Sequence, residues 1–264
     1  MFSYRHTFHA GNHADVLKHM ILVHLIHHFQ RKEKGFLIVD THAGAAVHDL
    51  ESRFAKKNAE HETGIGRLWP LKVLPDGLEA YREQVRAANS PPHTLRMYPG
   101  SPQIAFQMLR PQDRLRMYEL HSTEGRQLEE HFRKSAPRVM ANMADGFDRL
   151  RSQLPPPTRR GLVLIDPPYE DKADYQRVIA ALRDAFERFA TGTYAIWYPI
   201  VRRRESHDLP DRLTRLAAGD WLHATLKVRA APEDGHGLFG SGMFIFNPPW
   251  TCLLYTSPSP RDVE

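Results

Sequence analysis

The chain has 264 residues, 41% hydrophobic and 25% charged, which suits one soluble domain carrying an insertion, or two small ones. Lysine and arginine (36) exceed aspartate and glutamate (31), and the formal charge of +5 fits a polyanionic partner such as nucleic acid without requiring one. A single cysteine, Cys252, excludes an intrachain disulfide and a cysteine-based zinc site, no apolar run nears the roughly 20 residues that span a bilayer, and the amino terminus lacks an apolar signal core, so a reduced cytoplasmic setting is expected.

In chain order, residues 13–32 place apolar side chains at Val16, Leu17, Met20, Ile21, Val23, Leu25 and Ile26 and close on Arg31-Lys32 with Gly35 beyond, which predicts a helix. Phe36-Leu37-Ile38-Val39 is a short apolar run ending in Asp40, the pattern of a buried parallel strand with its polar residue at the carboxyl end. A turn of small residues follows, Thr41-His42-Ala43-Gly44-Ala45-Ala46. Residues 50–95 then become polar and rich in glycine and proline, with a helix expected over 77–88. The next convincing strand, 115–119, arrives too late for one crossover, so 50–95 reads as an inserted helical subdomain.

Beyond it the chain alternates: helix 125–133, strand 138–142, helix 147–153 stopped by Pro155-Pro156-Pro157, strand 161–165, helix 175–189, strand 193–198. Two strand-like runs, 222–228 and 242–246, close it. This order implies an α/β fold, a doubly wound and mostly parallel sheet whose ligands bind beyond the carboxyl ends of its strands. Residues 1–49 open that core and 96–251 complete it.

Asp166-Pro167-Pro168-Tyr169 follows the most apolar strand, where such a sheet puts its active site. An exocyclic amine on a nucleobase is a poor nucleophile, because its lone pair is delocalised into the ring. The Asp166 carboxylate and the Pro167 carbonyl could bind both amine protons, and Asp166 could accept one as a methyl group arrives. The prolines stiffen the loop, and Tyr169 offers a face on which a flipped-out base could stack. The motif therefore points to S-adenosylmethionine-dependent methylation of a base amino group. The same four residues also suit a plain strand-ending turn, but the preceding strand favours the catalytic reading.

Three further positions are ambiguous on chemistry alone. The turn 40–46 suits close approach of a cofactor but lacks a full G-x-G-x-x-G pattern. Glu119 suits a carboxylate receiving ribose hydroxyls, or a surface glutamate. Asp145-Gly146 suits an adenine edge, or a turn. Among the 16 histidines, His24 and His28 stand four apart on one helix without an H-E-x-x-H pattern, so no metal is expected. Arg202-Arg203-Arg204 reads as a solvated face, with contact to RNA phosphates as the alternative.

The segment from Tyr4-Arg5-His6-Thr7-Phe8-His9-Ala10-Gly11-Asn12-His13 through Lys18-His19 resembles the opening of the bacterial 23S ribosomal RNA adenine-N6 methyltransferase J family. Asp40-Thr41-His42-Ala43-Gly44, Gly100-Ser101-Pro102, Asp145-Gly146, Asp166-Pro167-Pro168-Tyr169-Glu170, Gly240-Ser241-Gly242 and Asn247-Pro248-Pro249-Trp250 match in the same order, so the resemblance covers about residues 1–251. It implies a Rossmann-like class I methyltransferase with a small helical insertion, acting as a monomer on 23S ribosomal RNA that is free or in immature particles. It further implies that His19, His42, Ser101, Glu119, Asp145, Gly146 and Asp166 contact S-adenosylmethionine, with Lys18 sharing that role. Asp166 would be the catalytic acceptor and Tyr4 would touch the RNA. Guanine-N2 methylation of ribosomal RNA and a non-catalytic RNA-binding assembly factor are the competing readings. Two departures stand out: Ala45-Ala46-Val47-His48 replaces a more glycine-rich continuation, and residues 252–264 read as a non-native tail.

Overall fold

The computed structural model describes residues 9–231 and 237–255. The amino-terminal helix α1 (His13–Gln30) is capped by Asn12, whose side chain accepts from the Ala14 and Asp15 amides, satisfying two of the donors a helix start leaves open. Strand β1 (Leu37–Asp40) follows, then the three-residue β2 (Val47–Asp49). The helices α2 (Arg53–Asn58), α3 (Ile65–Leu68) and α4 (Asp76–Ala87) lead to β3 (Met97–Pro99), which pairs antiparallel with β2 and so closes the base of this excursion. A small core of Ala10, Leu50, Ile65, Tyr81, Val85 and Tyr98 fills it.

Next come α5 (Ser101–Met108), β4 (Arg114–Tyr118), α6 (Ser122–Phe132), β5 (Val139–Asn142), α7 (Gly146–Leu150) and β6 (Gly161–Ile165). The last elements are α8 (Ala173–Phe189), β7 (Thr193–Ile200), α9 (Arg204–Thr214), β8 (Trp221–Lys227), β9 (Gly240–Phe246) and a 3-10 turn, Trp250–Tyr255. Seven strands form one sheet in the order β5-β4-β1-β6-β7-β9-β8. The first five run parallel, and β9 lies antiparallel to both β7 and β8.

The central strands are apolar because helices cover both faces. Leu22, Leu25, Ile26, Ile104 and Leu128 pack on one side, Tyr175, Val178, Leu182 and Leu209 on the other, and β6 is buried along its whole length. Asp40 sits in register with Met117 and Leu164, so β1, β4 and β6 end at one edge of the sheet. Gly242 faces Tyr198 across the β7–β9 pair; a Cβ there would lie 2.3 Å from the tyrosine ring. The Trp250–Tyr255 turn is pinned to α1, where His28 hydrogen-bonds Thr251 Oγ1 at 2.9 Å and Arg31 stacks 4.6 Å from the Trp250 ring centre. His28 thus packs against the carboxyl-terminal segment.

The sheet and the helices flanking it agree with the expected fold. Several elements lie outside that expectation: β2, β3, α5 and α9, whereas α2 and α3 fall within the expected helical stretch 50–95. Helix α9 begins inside the arginine run and carries Pro210 in its interior, so neither its start nor its centre looks helical in sequence. Among the described residues, no helix is long and apolar enough to cross a membrane.

Candidate active site

The carboxyl edge of the sheet opens into two cavities, one of about 270 Å³ and one of about 700 Å³. They meet at Lys18, Asp166, Pro168 and Glu170, which line both. Asp166 enters because β6 ends one residue earlier and the two prolines prevent the strand from continuing. Its carboxylate accepts from Lys18 Nζ at 2.5 Å, and Lys18 also pairs with Asp15 at 2.9 Å. Burial alone would push the Lys18 ammonium down; Asp15 and Asp166 together outweigh it and hold the group above its ordinary value. Asp15 is fixed in turn by the Gly11 amide, 2.9 Å from its Oδ2.

The smaller cavity is lined by the turn after β1 and the residues that end β4 and β5. Asp40 is buried and accepts a 2.6 Å hydrogen bond from Ser101, the first residue of α5. Burial pushes the Asp40 carboxyl up to about 6, with the Ser101 bond opposing. Enclosure likewise pushes the His42 imidazole down to about 3, so the ring is neutral, and it packs edge-on against Phe147 at 4.6 Å. Glu119 spans the cavity floor: one oxygen accepts from the Gly44 amide at 2.8 Å, the other from the His121 amide at 2.6 Å. Each carboxylate oxygen keeps a lone pair for a ligand.

Asp145 caps α7 through the Phe147 amide, and its second oxygen accepts from Arg177 at 2.6 Å. Gly146 is held so close to the β1 turn that a Cβ would fall 1.9 Å from the Thr41 carbonyl oxygen. His19 is fully buried at the cavity wall, its Nδ1 2.7 Å from the Tyr98 hydroxyl. Lys18, His19, His42, Ser101, Glu119, Asp145, Gly146 and Asp166, scattered over 149 positions, therefore line one space.

The larger cavity lies beyond Asp166, between the start of α1, the turn leading into α3, and β7. Pro167 is buried, and the neighbouring Pro168 lines both cavities. Tyr169 adopts the left-handed backbone, φ +53°, unusual for a non-glycine residue. Its ring is 3% exposed and packed against Tyr175, and its hydroxyl donates to the Trp197 carbonyl at 2.8 Å. The expected open stacking face is thus largely turned into the protein. Arg203 donates to the carbonyls of Tyr169 and Glu170, so this member of the arginine run braces the motif loop. Tyr4 lies outside the described residues.

Sequence reasoning missed Asp15, Tyr98, Phe147, Arg177 and Trp197. Asp15 carried a usable signal, an acid three residues before Lys18 on one helix face; the others depend on long-range packing. No group of three or more histidine, cysteine, aspartate or glutamate side chains that could hold a metal occurs among the described residues.

Five parallel strands with a reversed strand slotted beside β7, and a motif loop after β6 parting two cavities, define a Rossmann-like class I methyltransferase. Within that class the chain belongs to the ribosomal RNA large subunit methyltransferase J family. It matches the family described as Ribosomal RNA large subunit methyltransferase D, RlmJ, over residues 33–254. It is 46% identical over 255 residues to Ribosomal RNA large subunit methyltransferase J of Escherichia coli (strain K12), covering 95% of this chain and 88% of that one. The Haemophilus influenzae protein of the same name is 44% identical over 251 residues, covering 95% and 89%. The crystal structure of LPL1258 from Legionella pneumophila superimposes with a TM-score of 0.83 at 35% identity, over 92% of this chain and 88% of that one.

Proposed function

We propose that this chain methylates the N6 amino group of an adenine in 23S ribosomal RNA, using S-adenosylmethionine as donor and acting on RNA that is free or in immature particles. The observation that carries this reading is the junction of two cavities at Asp166 and Lys18, a small one suited to a cofactor and a large one suited to an acceptor. The smaller cavity fits an adenosyl group by its chemistry. Glu119 offers acceptors for ribose hydroxyls, Asp145 lines the same cavity, and Gly146 removes the side chain that would crowd the turn after β1. When bound, S-adenosylmethionine supplies an electrophilic methyl group.

The chain's own part is to hold and deprotonate the acceptor. A flipped-out base enters the larger cavity, where the Asp166 carboxylate accepts a hydrogen bond from its amino group and then takes the proton released as the nitrogen is alkylated. Lys18, anchored by Asp15, fixes the orientation of that carboxylate. Alignment of amine and donor across the junction supplies much of the rate. Incubation of the protein with labelled S-adenosylmethionine and protein-free large-subunit ribosomal RNA, followed by nucleoside mass analysis, tests the reading. N6-methyladenosine is expected; N2-methylguanosine, or no incorporation, would overturn it.

A further inference from the structure

We propose that Arg67 and Arg229 form a two-sided clamp for the phosphodiesters flanking the methylated nucleotide, an inference that rests on the ribosomal RNA methyltransferase reading. Pockets of roughly 300–1,000 Å³ enclose a drug-sized molecule, so the acceptor cavity, at about 700 Å³, has room for more than one base. Its lining includes two exposed arginines from segments distant in sequence: Arg67 on α3 and Arg229 after β8.

The charges around them are accounted for. Asp15 and Asp166 are paired with Lys18, Glu60 accepts from His9 and Asn12, and Arg203 is spent on the carbonyls of the motif loop. Glu170 also lines the cavity. The Arg67 guanidinium has no partner among the described residues. Arg229 gives one hydrogen bond, 2.8 Å, to the Leu238 carbonyl, which uses one of its five N–H donors and anchors the side chain across the neck of the β8–β9 connection.

Arg67 is also well placed mechanically. The amide of Ile65 donates to Gly11 at 2.9 Å, and a Cβ on Gly64 would lie 2.1 Å from the same Gly11 oxygen, so α3 is pressed directly against the segment leading into α1. That segment continues to Lys18 and hence to Asp166. Burial chiefly lowers the His13 imidazole, on the first turn of α1, against the pull of Glu60, and Arg229 lies close enough to add a smaller push in the same direction as burial. Two exposed arginines lining one cavity, carried by segments far apart in sequence and each with donors to spare, match phosphate oxygens flanking an extruded nucleotide.

The test is the salt dependence of binding to protein-free large-subunit ribosomal RNA, between about 50 and 200 mM potassium chloride. Arg67→Gln and Arg229→Gln should each reduce the slope of log affinity against log salt by about 1, and the double variant by about 2. S-adenosylhomocysteine affinity should stay within twofold of the parent, and Arg133→Gln, outside both cavities, should keep the parent slope. Unchanged slopes in both arginine variants would overturn the clamp, as would weaker RNA binding with no change of slope. Methyl transfer by the parent protein is read in parallel: its absence would remove the underlying reading, whereas transfer with unchanged slopes overturns the arginine assignment alone.

Discussion

Lys18 Nζ lies 2.5 Å from Asp166 Oδ2, joining residues 148 apart in sequence at the point where the two cavities meet. Both groups are largely removed from water, with 5% and 12% of their side chains exposed, so the pair holds a fixed geometry. Asp166→Asn keeps the shape but removes the proton acceptor, and Lys18 retains Asp15 as a counter-ion. Single-turnover methyl transfer should fall about a hundred- to ten-thousand-fold, while S-adenosylhomocysteine affinity changes far less. Unaltered single-turnover rates would reject Asp166 as the acceptor.

Asp40 and His42 pull the pH dependence of stability in opposite directions. Asp40 is raised from 3.8 to about 6, so the folded protein binds its proton more tightly than the unfolded chain does. Stability from this group is lost as pH rises between about 4 and 6, by about 3 kcal/mol. His42 is lowered from 6.5 to about 3, so its contribution is fully present above 6.5 and lost as pH falls through that window. The two partly cancel in the parent. Urea unfolding across this range should show a steeper acid loss in Asp40→Asn and a fall in stability from pH 4 to 6 in His42→Gln; parallel profiles for all three proteins would contradict both shifts.

What the sequence made legible was whatever a local pattern encodes. The five apolar residues of β6 mark a strand buried on both faces, and its observed bounds, Gly161–Ile165, coincide with the apolar run. Helices α1 and α8 show through their apolar spacing. Strands β2 and β3 do not, because three residues are too few for any periodicity and their pairing is made by the backbone. The site divides in the same way. Asp166 stands out through the prolines beside it, whereas Arg177 reaches Asp145 only because α8 places it there. Arg203 illustrates the limit: charge alone marks it for solvent, yet it turns onto the motif loop.

Tyr169, expected to stack on a base, is held by the core instead. Its hydroxyl holds β7 through the Trp197 carbonyl, and its ring fills the core beside Tyr175. Tyr169→Phe should keep the ring in place and cost about 1 kcal/mol from the lost hydrogen bond, with turnover within a few-fold of the parent. Tyr169→Ala should destabilise by about 3–5 kcal/mol through the cavity it leaves. Chemical denaturation of both variants checks this, and a mild effect of the alanine on stability, with turnover lost, would restore base stacking as the dominant role.

Gly146, which lines the cofactor cavity, and Gly77, which lines neither cavity, make a test and its control. A Cβ on Gly146 would meet Thr41 oxygen, carbon and Cα at 1.9, 2.6 and 2.7 Å, all backbone atoms that no rotamer change can move. Gly77, in the first turn of α4, has nothing within 4 Å of the same position. Gly146→Ala must therefore push α7 away from the β1 turn, taking the Asp145 carboxylate with it. Overpacking of this kind costs about 1–3 kcal/mol. S-adenosylhomocysteine affinity should fall at least tenfold, about 1.4 kcal/mol. Gly77→Ala should instead stabilise the protein by about 0.5–1 kcal/mol and leave ligand affinity alone, because it only narrows the unfolded ensemble. Titration calorimetry with thermal melts reads both, and parent-like ligand affinity in Gly146→Ala would show that the β1–α7 contact does not shape the cavity.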